Sequence, residues 1–275
     1  MFEAQLHGKL IREQENLEDL LTSNVFGAIK YAPNGEEELI RLLSEAETWN
    51  GNKPLQGLKG LSGVKYEFWP SLKEESCNPC EPDVLISITQ SNNKKVRILV
   101  EAKFKSGKSS EADLGDKPSD QLSKEWDNLK CLAGRENAEA YLLYITANLG
   151  FPEKDIKESI NEYKEKRQST INILWLSWRK IPTIFQNSKD EIIKDLVKLL
   201  RRQGLIFFEG FKASEVICFN WRFQAPDLSY KLLQPWVGNW SFKPIDMKWK
   251  FEKISIIHFN WQYFFPTEIK WRILK

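Results

Sequence analysis

Pro82-Asp83-Val-Leu-Ile-Ser-Ile-Thr-Gln90, then Ser91-Asn-Asn-Lys-Lys95, then Val96-Arg-Ile-Leu-Val-Glu101-Ala-Lys103 forms the centre of the chain's architecture. Two apolar runs flank a short segment with turn chemistry, which is the pattern of a β-hairpin. A turn centred near Asn92 and Asn93 sets Asp83 opposite Glu101 and Ala102 in antiparallel register. Period-two alternation then puts Glu101 and Lys103 on one face and Val96, Ile98, Val100 and Ala102 on the other. Ionisable groups at the end of an otherwise apolar strand break its core pattern, and such breaks tend to be functional.

Two carboxylates beside a lysine suit metal-assisted phosphodiester hydrolysis. Carboxylate oxygens bind a hard divalent cation, which lowers the pKa of a bound water and offsets charge on the scissile phosphate. Lys103 adds a compact cation two residues along. The pattern Pro82-Asp83 followed by Glu101-X-Lys103 at the end of the next strand resembles the signature of the PD-(D/E)XK nuclease superfamily. The likeness extends to Glu18-Asp-Leu-Leu-Thr22, which is similar to the Glu-Asn-X-Leu-Thr element that supplies an extra acidic residue in that superfamily, with Asp19 where the family has Asn. Gln121, opening a helix after the Lys103 strand, resembles a glutamine used by several of its branches.

The resemblance implies an α/β restriction-endonuclease-like fold, a mixed central sheet flanked by helices. It implies Mg2+, with Mn2+ as substitute, held by Asp83, Glu101, the Ala102 backbone carbonyl and Glu18. It implies that Lys103 orients or deprotonates the attacking water and that Gln121 positions the site. The expected activity is endonuclease cleavage of double-stranded DNA, in bacterial or phage antiviral defence or DNA processing. RNA cleavage would use the same residues. Asp83→Ala and Lys103→Ala are expected to abolish cutting at similar thermal stability.

Other readings stand beside this one. Glu101 and Lys103 alone describe a solvated edge strand with a surface ion pair of about 0–1 kcal/mol. Glu15 lies one turn before Glu18 and could face the same site. A non-catalytic module that keeps the fold and recruits a partner through its aromatic C-terminus is the alternative to an enzyme, and a homodimer or a protein partner fits either.

The chain has 275 residues and a formal net charge of +2. Its lack of a long apolar run argues against a membrane span, and the polar N-terminus points to a cytoplasmic protein. Six basic residues between Lys94 and Lys108, at 94, 95, 97, 103, 105 and 108, suggest positive potential beside the metal, suited to a polyanion. Cys77-Asn-Pro-Cys80 has the spacing of half a zinc site or a redox pair, but with only two histidines, His7 and His258, it reads better as a turn entering the Asp83 strand.

Along the chain, helices are expected over about 9–23, 35–48, 120–133, 153–166 and 189–203, and strands over 64–69, 140–146 and 171–178 besides the hairpin. Residues 106–119 read as a mobile loop able to close over substrate. Strand–helix–strand order implies parallel neighbours. The core is expected over 1–204. An aromatic-rich, β-rich extension is expected over 205–275, where Phe219-Asn-Trp-Arg-Phe223 and Phe259-Asn-Trp-Gln-Tyr263 echo each other.

Overall fold

The computed structural model describes residues 18–104, 107–110, 112–113 and 115–207. Readings that fall on residues 9–17 and 208–275 lie outside them. The described chain is α/β. Strands β1 (Leu61–Phe68), β2 (Val84–Gln90), β3 (Lys95–Lys103), β4 (Glu139–Thr146) and β5 (Ile173–Ser177) form one sheet in chain order. β1, β2 and β3 pair antiparallel, whereas β3, β4 and β5 pair parallel, so the sheet is mixed.

The hairpin has the expected register. Val84 opposes Val100 and Ile88 opposes Val96, so the next step outward faces Asp83 with Glu101. The turn closes through Asn93 N–H to Gln90 O at 2.8 Å, with Asn93 at φ 63°, a conformation that asparagine tolerates.

Alternation along the strands divides the core between two faces. Val84, Ile86, Ile88, Val96, Ile98, Val100 and Ala102 pack with helices α1 (Glu18–Tyr31) and α2 (Gly35–Ser44). The same face carries short α5 (Ile181–Ile184) and α6 (Glu191–Arg202). Leu85, Leu99, Leu142 and Tyr144 pack on the other face with α3 (Gln121–Glu136) and α4 (Glu153–Arg167). Asp83, Glu101 and Lys103 share the parity of Leu85 and Leu99, and so belong to the side covered by α3.

Two helix ends and one loop differ from the sequence reading for reasons of packing. α1 runs on to Tyr31, because Leu21, Val25, Phe26 and Ile29 continue one buried stripe. α2 stops at Ser44 rather than 48, because Glu47 exchanges both backbone hydrogen bonds with Trp175 and extends the β5 edge. The segment 106–119 is not a free lid where it is described. The side chain of Lys108 is 7% exposed with its Nζ 2.5 Å from Asp120 Oδ2, Ser119 N–H donates to Glu162 Oε1 at 3.0 Å, and Asn78 Nδ2 donates to Pro118 O at 2.8 Å. Burial of an ion pair with its hydrogen bonds satisfied fixes this loop onto the start of α3 and onto α4.

Candidate metal-binding active site

β3 ends beneath the first turns of α3, and that junction gathers all five sequence-selected side chains. Asp120 caps α3 by accepting from Leu122 N and Ser123 N, which aims Gln121 at the sheet. Gln121 Nε2 donates to Glu101 Oε1, while Gln121 Oε1 accepts from Ser109 N at 2.7 Å. The same Glu101 oxygen lies 2.7 Å from Lys103 Nζ. Lys103 reaches Glu18 Oε1 at 3.0 Å, and Glu18 Oε2 accepts from Phe104 N at 2.8 Å. Asp83 Oδ2 accepts from Ala102 N at 2.8 Å.

The solvated-edge reading fails on burial. β3 is the central strand, and Glu101 and Lys103 are 2% and 8% exposed, with Asp83 at 7%. Sequence spacing places Glu and Lys on one face but does not say whether a helix covers that face.

Glu125 is a residue that the sequence reading passed over. It sits one helical turn after Gln121, is 1% exposed, and its carboxyl comes within hydrogen-bonding reach of Glu101 and Gln121. Its Oε2 has no hydrogen-bond partner among the described residues. The i,i+4 spacing from Gln121 was the available signal. Trp178 was also missed: it is fully buried, and its Nε1 donates to Lys103 O at 3.2 Å, holding the end of β3.

The electrostatics are those of a site short of positive charge. Burial and then the Glu101 charge push Asp83 from its ordinary value up to about 7, against the pull of the Ala102 N–H and Lys103. Burial likewise raises Glu101 and raises Glu125 well above the usual carboxylate range. Burial works against the Lys103 ammonium, yet Glu101 and Glu18 hold it above its ordinary range. One lysine thus faces several buried carboxylates, and carboxylate oxygens are the donors that hard divalent cations take. No group of three or more His, Cys, Asp or Glu side chains among the described residues is arranged around a single ion position. Asp83 and Glu101, with the backbone oxygen of Ala102, are the groups that could hold a cation, while Glu18 is engaged by Lys103 and Phe104.

Three members of the basic stretch are engaged in ion pairs, and Lys105 lies outside the described residues. Lys94 pairs with Glu139 at 2.8 Å, Arg97 with Glu136 at 2.5 Å, and Lys108 with Asp120. Lys94 and Lys95 also stand at the turn end of the hairpin, about 26–30 Å along the strand from Lys103.

No protein-family model matches this chain, and no curated protein matches it. Among solved structures the chain is similar to SfsA of Pyrococcus furiosus in complex with Ca2+, at 22% identity and a TM-score of 0.24. The match covers 42% of this chain and 48% of that one, so it spans about half the length of that structure.

Proposed function

We propose that this protein is a divalent-metal-dependent nuclease acting on double-stranded DNA. The observation that carries the proposal is the convergence of Asp83, Glu101 and Lys103 at one end of a hairpin, buried and short of positive charge. Support also comes from the sequence likeness of these residues, with Glu18 and Gln121, to the PD-(D/E)XK superfamily.

Asp83 and Glu101 would hold Mg2+ or Mn2+, with the Ala102 carbonyl beside them. When bound, the cation supplies an activated water and a counter-charge for the phosphate. Gln121 fixes the Glu101 carboxylate by hydrogen bonding to Oε1, and the Ala102 N–H fixes one oxygen of Asp83. Lys103 contributes a fixed positive charge that orients the water and faces the phosphate. Removing that water's proton is the other role we propose for Lys103. Glu18 holds Lys103 in place through Nζ.

The test uses full-length protein with supercoiled and linear DNA, and with RNA, in Mg2+, Mn2+ or EDTA. Cation-dependent cutting is expected, lost in Asp83→Ala and Lys103→Ala. Undiminished cutting by both variants would remove these residues from the mechanism. Calorimetric titration with Mn2+ separates an enzyme from a scaffold that keeps the fold: absence of both heat and cutting sinks the proposal.

A further inference from the structure

We infer that Cys77 and Cys131 form a redox-active pair that hydrogen peroxide closes to a disulfide. The sequence spacing offers Cys77 and Cys80 as partners, but the fold selects another. Cys77, in the segment between β1 and β2, has its Sγ 3.5 Å from Sγ of Cys131 on α3. Ser76 Oγ lies 3.7 Å from one sulfur and 3.8 Å from the other. Cys80 is instead committed to a backbone bridge with Leu72.

The approach of the two sulfurs is held by the fold on both sides. Glu74 N–H donates to Asn128 Oδ1 at 3.1 Å, and Asn128 Nδ2 donates to Asn78 O at 2.7 Å, so residues flanking Cys77 are tied to α3 one turn before Cys131. Arg167 joins the same segment to α3 by donating to Ser76 O at 2.7 Å and gripping the Asp127 carboxylate with Nε and Nη2. A disulfide bond is about 2.05 Å long, so side-chain rotation has only about 1.5 Å of sulfur travel to supply.

Exposure orders the chemistry. Cys131 is half-buried and open to peroxide, whereas Cys77 is buried, and that burial pushes its thiol up to about 12. The Cys131 sulfur attacks one peroxide oxygen, the O–O bond breaks, and the departing hydroxide leaves as water with the proton that the Cys131 thiol gives up, leaving a sulfenic acid. The Cys77 sulfur then attacks the Cys131 sulfur; the S–O bond breaks, and the hydroxide leaves as a second water with the Cys77 proton. The sulfurs lose two electrons and the peroxide gains them.

The loop so closed contains Asp83, Glu101, Lys103, Gln121 and Glu125. Cross-linking a loop of this length constrains the unfolded chain and is expected to raise Tm by about 5–10 °C.

The experiment treats reduced full-length protein with stoichiometric hydrogen peroxide, blocks residual thiols, and maps tryptic peptides. The expected product is monomeric protein in which peptide Glu74–Lys94 is joined to Cys131–Arg135, reversible by dithiothreitol, with the Tm raised. The link should form in Cys80→Ala, which assigns it to Cys77, and be absent in Cys77→Ala and Cys131→Ala. Oxidation of Cys131 to sulfinic acid alone, a bridge to Cys218 or to a second chain, or a link that survives Cys77→Ala would each overturn the assignment. The mapping on the parent and on Cys80→Ala decides the matter even where a Cys77 variant fails to fold.

Discussion

The backbone N–H of Ala102 donates to Asp83 Oδ2 at 2.8 Å, joining the entry of β2 to the end of β3 through a side chain. One carboxylate oxygen is thereby fixed by the scaffold, and the Asp83 charge is held where burial and Glu101 both oppose it. A protein keeps a charge in such a place at a cost in stability, which a bound cation would offset.

Asp83→Asn retains an oxygen for the Ala102 N–H and removes that charge. The variant is expected to be more stable than the parent at pH 8 by about 1–3 kcal/mol while losing Mn2+ binding. Urea denaturation with and without Mn2+ reads both effects, and parent-like Mn2+ affinity would take Asp83 out of the ligand set.

The pH dependence of the metal-free protein follows from the same group. Asp83 moves from 3.8 unfolded to about 7 folded, so between these values the folded state binds more protons. Stability therefore falls as pH rises through that window, and Glu101 and Glu125 add with the same sign. From pH 5 to pH 8 the Asp83 contribution alone is a loss of about 2–4 kcal/mol. Asp83→Asn and Glu125→Gln should each flatten the profile. Saturating Mn2+ should also flatten it, with proton release on binding measured in buffers of different ionisation enthalpy.

Lys103→Ala is expected to destabilise the protein, in contrast to the sequence-based expectation of unchanged stability. Its ammonium is buried and paired with both Glu101 and Glu18. Removing one member of a buried ion pair costs about 3–5 kcal/mol, less whatever protonation of Glu101 recovers. Thermal melts at pH 5 and pH 8 should show the larger loss at pH 8, so activity assays on this variant belong at a temperature where circular dichroism shows it folded.

Trp178→Phe removes the indole N–H that Lys103 O accepts while keeping most of the apolar bulk. The expected loss is about 1–3 kcal/mol. A fall in kcat that exceeds the change in KM would show that β3 must be held at its end for Lys103 to act; equal stability and unchanged kinetics would assign Trp178 to packing alone.

Much of the scaffold was legible along the chain because it depends on local periodicity. The hairpin register follows from two apolar runs about an Asn-Asn turn, and the parallel pairing of β3, β4 and β5 follows from strand–helix order. The helix boundaries at Tyr31 and Ser44 were less accessible, since one is set by a buried stripe packed on the sheet and the other by Glu47 bonding to Trp175, far away in sequence. The ion pairs of Lys94, Arg97 and Lys108 were hidden for the same reason: their partners Glu139, Glu136 and Asp120 arrive from other parts of the chain.

The sequence by itself determined which side chains share a strand face and which residue types could take part in the chemistry, because a strand's period of two is a property of the backbone. Tertiary structure alone decided that the face of Glu101 and Lys103 is covered by α3, that Glu125 joins it, and that Cys77 meets Cys131 rather than Cys80. Burial and partnership are set by packing between segments distant along the chain, and those same distances decide whether a carboxylate is an ordinary surface charge or one pressed toward neutrality by burial and its neighbours.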